Sequence, residues 1–168
     1  MPFADPFLTI RYRAVGVVRS PFAGLEGMPL QSVAAGEVRA RVEIREELVA
    51  GLRDLDGFSH LHLITHLHRG APGGLEVLPF LDDTMRGIFA TRSPRHPNPI
   101  GISVVRLEGI AGSVLEITGV DLLDGTPVLD IKPYVPAFDS FAAERTAWLE
   151  HAARRVHEVR ADRRFDER

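Results

Sequence analysis

Between residues 38 and 45 apolar and charged side chains alternate without a break. Val38, Ala40, Val42 and Ile44 fall on one face of an extended chain, and Arg39, Arg41, Glu43 and Arg45 on the other. Successive strand side chains point to opposite faces, so this stretch predicts a strand with one buried and one wet face. Val104, Val105 and Leu107 begin a second such pattern, and Val114, Leu115, Ile117 and Val120 follow after a short link. Residues 12–18, 58–68, 86–91 and 127–132 also read as strands. Asp124-Gly125, between the apolar runs GVDLL and PVLDI, predicts a turn, because Gly tolerates a left-handed backbone and Asp bonds to it.

Helical spacing occurs in two places, about 45–53 and about 140–160. In the second, Phe141, Ala142, Trp148, Leu149, Ala152, Val156 and Val159 recur near a 3.6-residue period amid Glu and Arg. Strands outnumber helices, and no regular strand–helix alternation supports a doubly wound parallel sheet. The glycine fingerprint of dinucleotide folds and the phosphate-binding P-loop are both missing. The pattern predicts a mainly β fold: a barrel-like or folded-over mixed sheet with a few peripheral helices, including a C-terminal one. No repeat or linker divides residues 1–168, so a single domain is expected, with no additional C-terminal domain.

Composition narrows the function classes. The 168 residues are 45% hydrophobic, enough to fill a core, and they include no cysteine. Thiolate metal sites, disulfide scaffolds and cysteine nucleophiles are therefore excluded. A net charge of −3 argues against a protein that coats nucleic acid with basic residues. No run reaches the length of a membrane span, and MPFADPFLTIRYR has no apolar signal core, so a cytoplasmic protein without membrane contact is expected. Lys132 is the only lysine and offers the only Schiff-base position.

Three clusters carry candidate chemistry. His60, His62, His66 and His68 occupy even positions, so an extended strand places them on one face, opposite Leu61, Leu63, Thr65 and Leu67. Such a face can hold a metal if Glu76, Asp82 or Asp83 adds a ligand, or it can line a pocket or interface. The second cluster is GIFATRSPRHPNPIGIS, residues 87–103. Pro94, Pro97 and Pro99 stiffen a loop bearing Arg92, Arg95 and Asn98, the only asparagine of the chain. Guanidinium forks on a stiff loop suit a carboxylate or phosphate. The third cluster, residues 121–136, holds Asp121, Asp124, Asp130 and Thr126, which can orient hydroxyl or cationic groups. Asp124 serves equally well as a cap for the turn's backbone.

Together these segments resemble the TrmO-type tRNA methyltransferases, also called TsaA-like or YaeB-like. VGVVRSPF (15–22), LDGFSHLHL (55–63), GIFATRSPRHPNPIGIS (87–103) and LLDGTPVLDIKPYVP (122–136) occur in the family's order across about residues 12–139. The resemblance implies an S-adenosylmethionine-dependent enzyme on a β-barrel-like fold, usually a homodimer with the methyl donor near the interface. It implies methylation at N6 of threonylcarbamoyladenosine beside the anticodon of tRNA. By the same resemblance the cofactor contacts are Leu30, Gln31, His68, Arg69, Arg92, Ile102, Leu123, Asp124, Gly125 and Thr126.

Arg95 and Asn98 are the expected substrate contacts, with Arg92 or Arg95 for the threonyl carboxylate. No proton acceptor is evident, although Asp130 and His60 are candidates. No resident metal is expected. The chain departs from the family pattern at Leu30 and His96, both usually Arg, and at His62, usually aromatic. Arginines 154, 155, 160, 163, 164 and 168 are either a local tRNA patch across a dimer or a solvated helix face, being interleaved with acids. Two alternatives remain beside the methyltransferase: an S-adenosylmethionine-binding module without tRNA activity, and a histidine-ligated metalloprotein.

Overall fold

The computed structural model describes residues 8–70 and 73–165. Its eight strands are β1 (Gly16–Arg19), β2 (Arg39–Ile44), β3 (His60–His66), β4 (Glu76–Val77), β5 (Arg86–Gly87), β6 (Ile100–Ala111), β7 (Val114–Thr118) and β8 (Pro127–Pro133). Six of them close a barrel in the order β1-β2-β7-β6-β3-β8, with β8 returning to β1. Every pair is antiparallel. The folded-over alternative is thus set aside in favour of full closure, which leaves no sheet edge to template aggregation. β4 and β5 form a separate two-stranded ribbon.

The alternation read from the sequence becomes the barrel wall. Val18, Ala40, Val42, Ile44, Leu61, Leu63, Val105, Leu107, Leu115, Ile117 and Val128 pack in its interior. The intervening charges face water, where Arg19 pairs with Glu43 at 3.0 Å and Arg41 with Glu116 at 3.8 Å. Two irregularities shape the closure. The β3–β8 register shifts between Ile64 and Thr65, and the β6–β7 register shifts between Leu107 and Gly109. Such bulges raise the local twist, which a small barrel needs.

Several expected elements are shorter or different. Residues 12–15 are not in the strand, which begins at Gly16. The expected strand over 86–91 stops after Gly87 and turns into a single 3-10 turn, Ile88–Ala90. The helix expected at 45–53 is a 3-10 segment, Glu46–Leu52.

The largest difference is the tail. A short α1 (Pro136–Asp139) is followed by irregular chain, then α2 (Leu149–Ala152), which runs into 3-10 turns at Ala153–His157. A continuous 140–160 helix does not form. Helix nucleation is costly, and Trp148, Leu149 and Val156 turn to the wall of a cavity instead, while Phe141 stays exposed. Trp148 Nε1 donates to the Ala90 carbonyl at 2.9 Å, while Gly27 N–H donates to the Ala161 carbonyl and Ala161 N–H to the Met28 carbonyl, each at 2.9 Å.

The Asp124-Gly125 turn forms, with Gly125 at φ 78°, a conformation that disfavours any Cβ. It joins two strands that do not pair with each other, and it fastens to β1 instead. Gly125 N–H donates to Val18 O at 2.9 Å, and Asp124 N–H to Phe22 O at 2.8 Å.

Candidate ligand cavity at the barrel end

One end of the barrel opens into a cavity of about 750 Å³, within the range of small-molecule sites. Loops from across the chain supply its walls. Leu30, Gln31 and Ser32 come from the β1–β2 connection, Leu67, Arg69 and Gly70 from beyond β3, and residues 91–94 with His96 from the proline loop. Ile100 to Val104 of β6 and the segment Asp121, Leu122, Leu123 and Thr126 form the side nearest the barrel. Trp148, Leu149, Ala153, Val156 and Phe165 bring the C-terminal segment over it.

Of the expected cofactor contacts, Leu30, Gln31, Arg69, Arg92, Ile102, Leu123 and Thr126 line this cavity. Arg92 Nη1 donates to Gln31 Oε1 at 2.7 Å, tying the proline loop to the early loop. Arg69 Nη1 donates to the Ala23 carbonyl at 2.9 Å, and Thr126 Oγ1 to the Leu123 carbonyl at 2.7 Å. His68, Asp124 and Gly125 are not among the lining residues. Asp124 acts as the cap, its Oδ1 accepting the Ser20 backbone N–H at 3.1 Å.

The two arginines of the proline loop part company. Arg95 lines a second cavity of about 490 Å³ with Gly73, Glu76, Arg164 and Phe165. Its guanidinium lies 5.7 Å from the Phe165 ring centroid, and its buried Nε has no hydrogen-bond partner. Asn98 is exposed and lines neither cavity. His96, one of the departures, lies at the cavity wall with Nε2 3.2 Å from the Thr91 carbonyl and its ring against Phe89.

The histidine strand does not gather a metal site. Among the described residues no group of three or more His, Asp or Glu is placed to hold an ion. His62 instead sits 3.6 Å from Asp139 and edge-on to Tyr134, while His60 Nδ1 meets Ser59 Oγ at 2.9 Å. Asp130 pairs with Lys132 at 2.8 Å on β8, and neither Asp130 nor His60 lines the cavity. The tail arginines are not a uniform patch. Arg164 is held by Asp162 and the Pro79 carbonyl and stacks on Phe80, and Arg168 lies outside the described residues.

Sequence reasoning missed the tail's part in the wall, and it left Asp121 without a definite role. Ser103 Oγ donates to Asp121 Oδ1 at 2.6 Å, joining β6 to the segment before the turn. Burial pushes the Asp121 carboxyl above its ordinary value of 3.8, against the Ser103 hydroxyl, nearby backbone N–H groups and the Arg92 charge, which pull it down. The contrast is Asp82, which the Arg86 hydrogen bond holds below the usual carboxylate range.

Gly70 keeps two walls of the cavity together. A Cβ there would lie 2.6 Å from the Pro94 carbonyl oxygen and 3.2 Å from that of Leu67, both backbone atoms. Gly70→Ala is expected to force the 67–70 and 91–96 segments apart and to cost about 1–3 kcal/mol of stability. Chemical denaturation checks this, and an unchanged midpoint would show that the two loops separate freely.

The sequence profile described as the tRNA-methyltransferase O N-terminal domain matches residues 17–140. A probable S-adenosyl-L-methionine-binding protein of Pyrococcus abyssi is 48% identical over 158 residues, covering 94% of this chain and 86% of its own length. A mouse tRNA (adenine(37)-N6)-methyltransferase is 35% identical, covering 75% of this chain and 31% of the mouse protein. The crystal structure of TrmO from Pseudomonas aeruginosa superposes with a TM-score of 0.71 at 39% identity. That match covers 83% of this chain, which spans 62% of the crystallised one.

Proposed function

Since the chain belongs to the family of the tRNA-methyltransferase O N-terminal domain, we propose that it is an S-adenosylmethionine-dependent methyltransferase acting on N6 of adenine 37 in tRNA. In this reading the preferred base is threonylcarbamoyladenosine and the enzyme works in the cytoplasm. The observation that carries it is the convergence of Leu30, Gln31, Arg69, Arg92, Ile102, Leu123 and Thr126, from distant parts of the chain, on one cavity.

The residues present fit the donor. Arg92 offers a charged fork for its carboxylate, while Leu30, Ile102 and Leu123 give apolar wall. The donor supplies an activated methyl group on a sulfonium, so the protein's own task is to position the accepting nitrogen and exclude water. The wall formed by Trp148 and Phe165 serves that exclusion. Arg95 in the adjoining cavity is the candidate for the threonyl carboxylate, with Asn98 further out on the same loop. Val33, Ile100 and Ile102 are exposed on the cavity rim, and a second copy of the chain covers them in a homodimer.

Calorimetric titration of S-adenosylmethionine tests the first half. Saturable binding near a micromolar Kd, about −8 kcal/mol, is expected. Methylation of tRNA with and without threonylcarbamoyl on adenine 37 tests the second half. Equal rates on the two tRNAs would remove the modified base as the preferred substrate. Binding without methylation of either would leave a donor-binding module.

A further inference from the structure

Methylation at N6 displaces a proton from that nitrogen, and the proposed reaction so far has no group to take it. We propose that Asp121 is the proton acceptor of the methyl-transfer step. The inference rests on the methyltransferase reading and deepens it.

The cavity's own inventory leads there. Among the described residues lining it, the titratable side chains are Arg69, Arg92, His96 and Asp121, so Asp121 is its sole carboxylate. Arginine keeps its proton in proteins and cannot act as a base. His96 is turned into its own loop, against the Thr91 carbonyl and Phe89. Asp130 and His60 are outside the cavity altogether.

Asp121 is also held in place for the task. Ser103 from β6 fixes one carboxylate oxygen at 2.6 Å, and Arg92 from the proline loop is the charged group that acts on it. Burial raises its proton affinity, moving it toward the range in which a carboxylate accepts a proton well. In the step itself the N6 lone pair forms the bond to the methyl carbon. The carbon–sulfur bond breaks with its electron pair left on sulfur, and the N6 proton passes to the Asp121 carboxylate. Water takes that proton after product leaves.

Asp121→Asn in the full chain is the test, read by single-turnover methylation of tRNA, by S-adenosylmethionine calorimetry and by stability against pH. The expected result is a rate lowered by about 100-fold or more, the scale of a lost general base, with donor affinity near wild type. The third readout is independent of activity. With its folded pKa raised, Asp121 binds its proton more tightly in the fold than in the unfolded chain. Wild-type stability therefore contains a contribution that falls as pH rises from about 3.8 through the folded value, and the Asn variant loses that slope.

Ser103→Ala gives a second measure should the Asn variant fail to fold. Losing the hydroxyl raises the carboxyl's pKa further, so the acidic limb of the rate profile moves to higher pH. An unmoved limb overturns the proposal, as does an Asn variant that methylates at the wild-type rate. Weaker donor binding with an unchanged rate at saturation would make Asp121 a donor contact and equally overturn it. Failure of the wild-type protein on every tRNA would instead sink the underlying methyltransferase reading, and this inference with it.

Discussion

Leu63→Ala is expected to lower the unfolding free energy by about 2–5 kcal/mol, the range for a buried leucine that leaves a cavity behind. Leu63 is fully buried at the middle of β3, inside the barrel with Leu61 and Val105. Its strand is bonded on both sides, to β6 through Ser103 and to β8 through Ile131. A closed barrel has no free edge to move, so the wall cannot readily collapse into the void. Stability measured by urea titration is the check, and a loss below about 1 kcal/mol would show that the interior repacks. His66→Ala supplies the contrast on the same strand. Its side chain is exposed, and a change within about 0.5 kcal/mol is expected there.

Arg92→Ala is expected to weaken S-adenosylmethionine binding by about 1.5–3 kcal/mol, the value of a hydrogen bond to a charged group. At 1.4 kcal/mol per tenfold, the Kd rises by about 10- to 150-fold. Two losses combine in the variant. The fork for the donor's carboxylate disappears, and so does the 2.7 Å bond to Gln31 that joins the two loops of the cavity wall. Arg92→Lys separates these losses, since an ammonium keeps the charge without the planar fork. Calorimetry on both variants, with near-wild-type urea midpoints, is the measurement. Wild-type affinity in Arg92→Ala would remove the residue from the donor site. Gln31→Ala, which breaks the tie between loops but leaves the guanidinium fork, is expected to have the smaller effect.

How far the sequence reached depends on the kind of information each feature needs. The faces of β2 and β3 were legible because alternation fixes them locally: Val42 and Leu63 point inward, Arg41 and His62 outward. Residues 140–160 misled, because their apolar spacing fits a helix as well as it fits separate contacts to a cavity wall. Trp148 answers to the Ala90 carbonyl, not to a helical neighbour. The pair Arg92 and Arg95 was legible as two forks on a stiff loop, yet nothing in the sequence tells that Phe165 lies between their two cavities.

By itself the sequence determined a β-rich chain without thiol chemistry, a turn at Asp124-Gly125, and motifs that carry a family resemblance. These follow from residue type and short-range periodicity, which set backbone preference and the inward face within a few residues. Tertiary structure alone decided that the sheet closes, that loops far apart in sequence share one cavity, and that Asp121 is its sole carboxylate among the described residues. It also decided that His60 and His62 of β3 lie against Tyr134, with Ser59 and Asp139 beside them. The physical reason is distance along the chain. Ser103 and Asp121 are 18 residues apart and Gln31 and Arg92 are 61 apart, so their contacts exist only once barrel closure has brought the segments that carry them together.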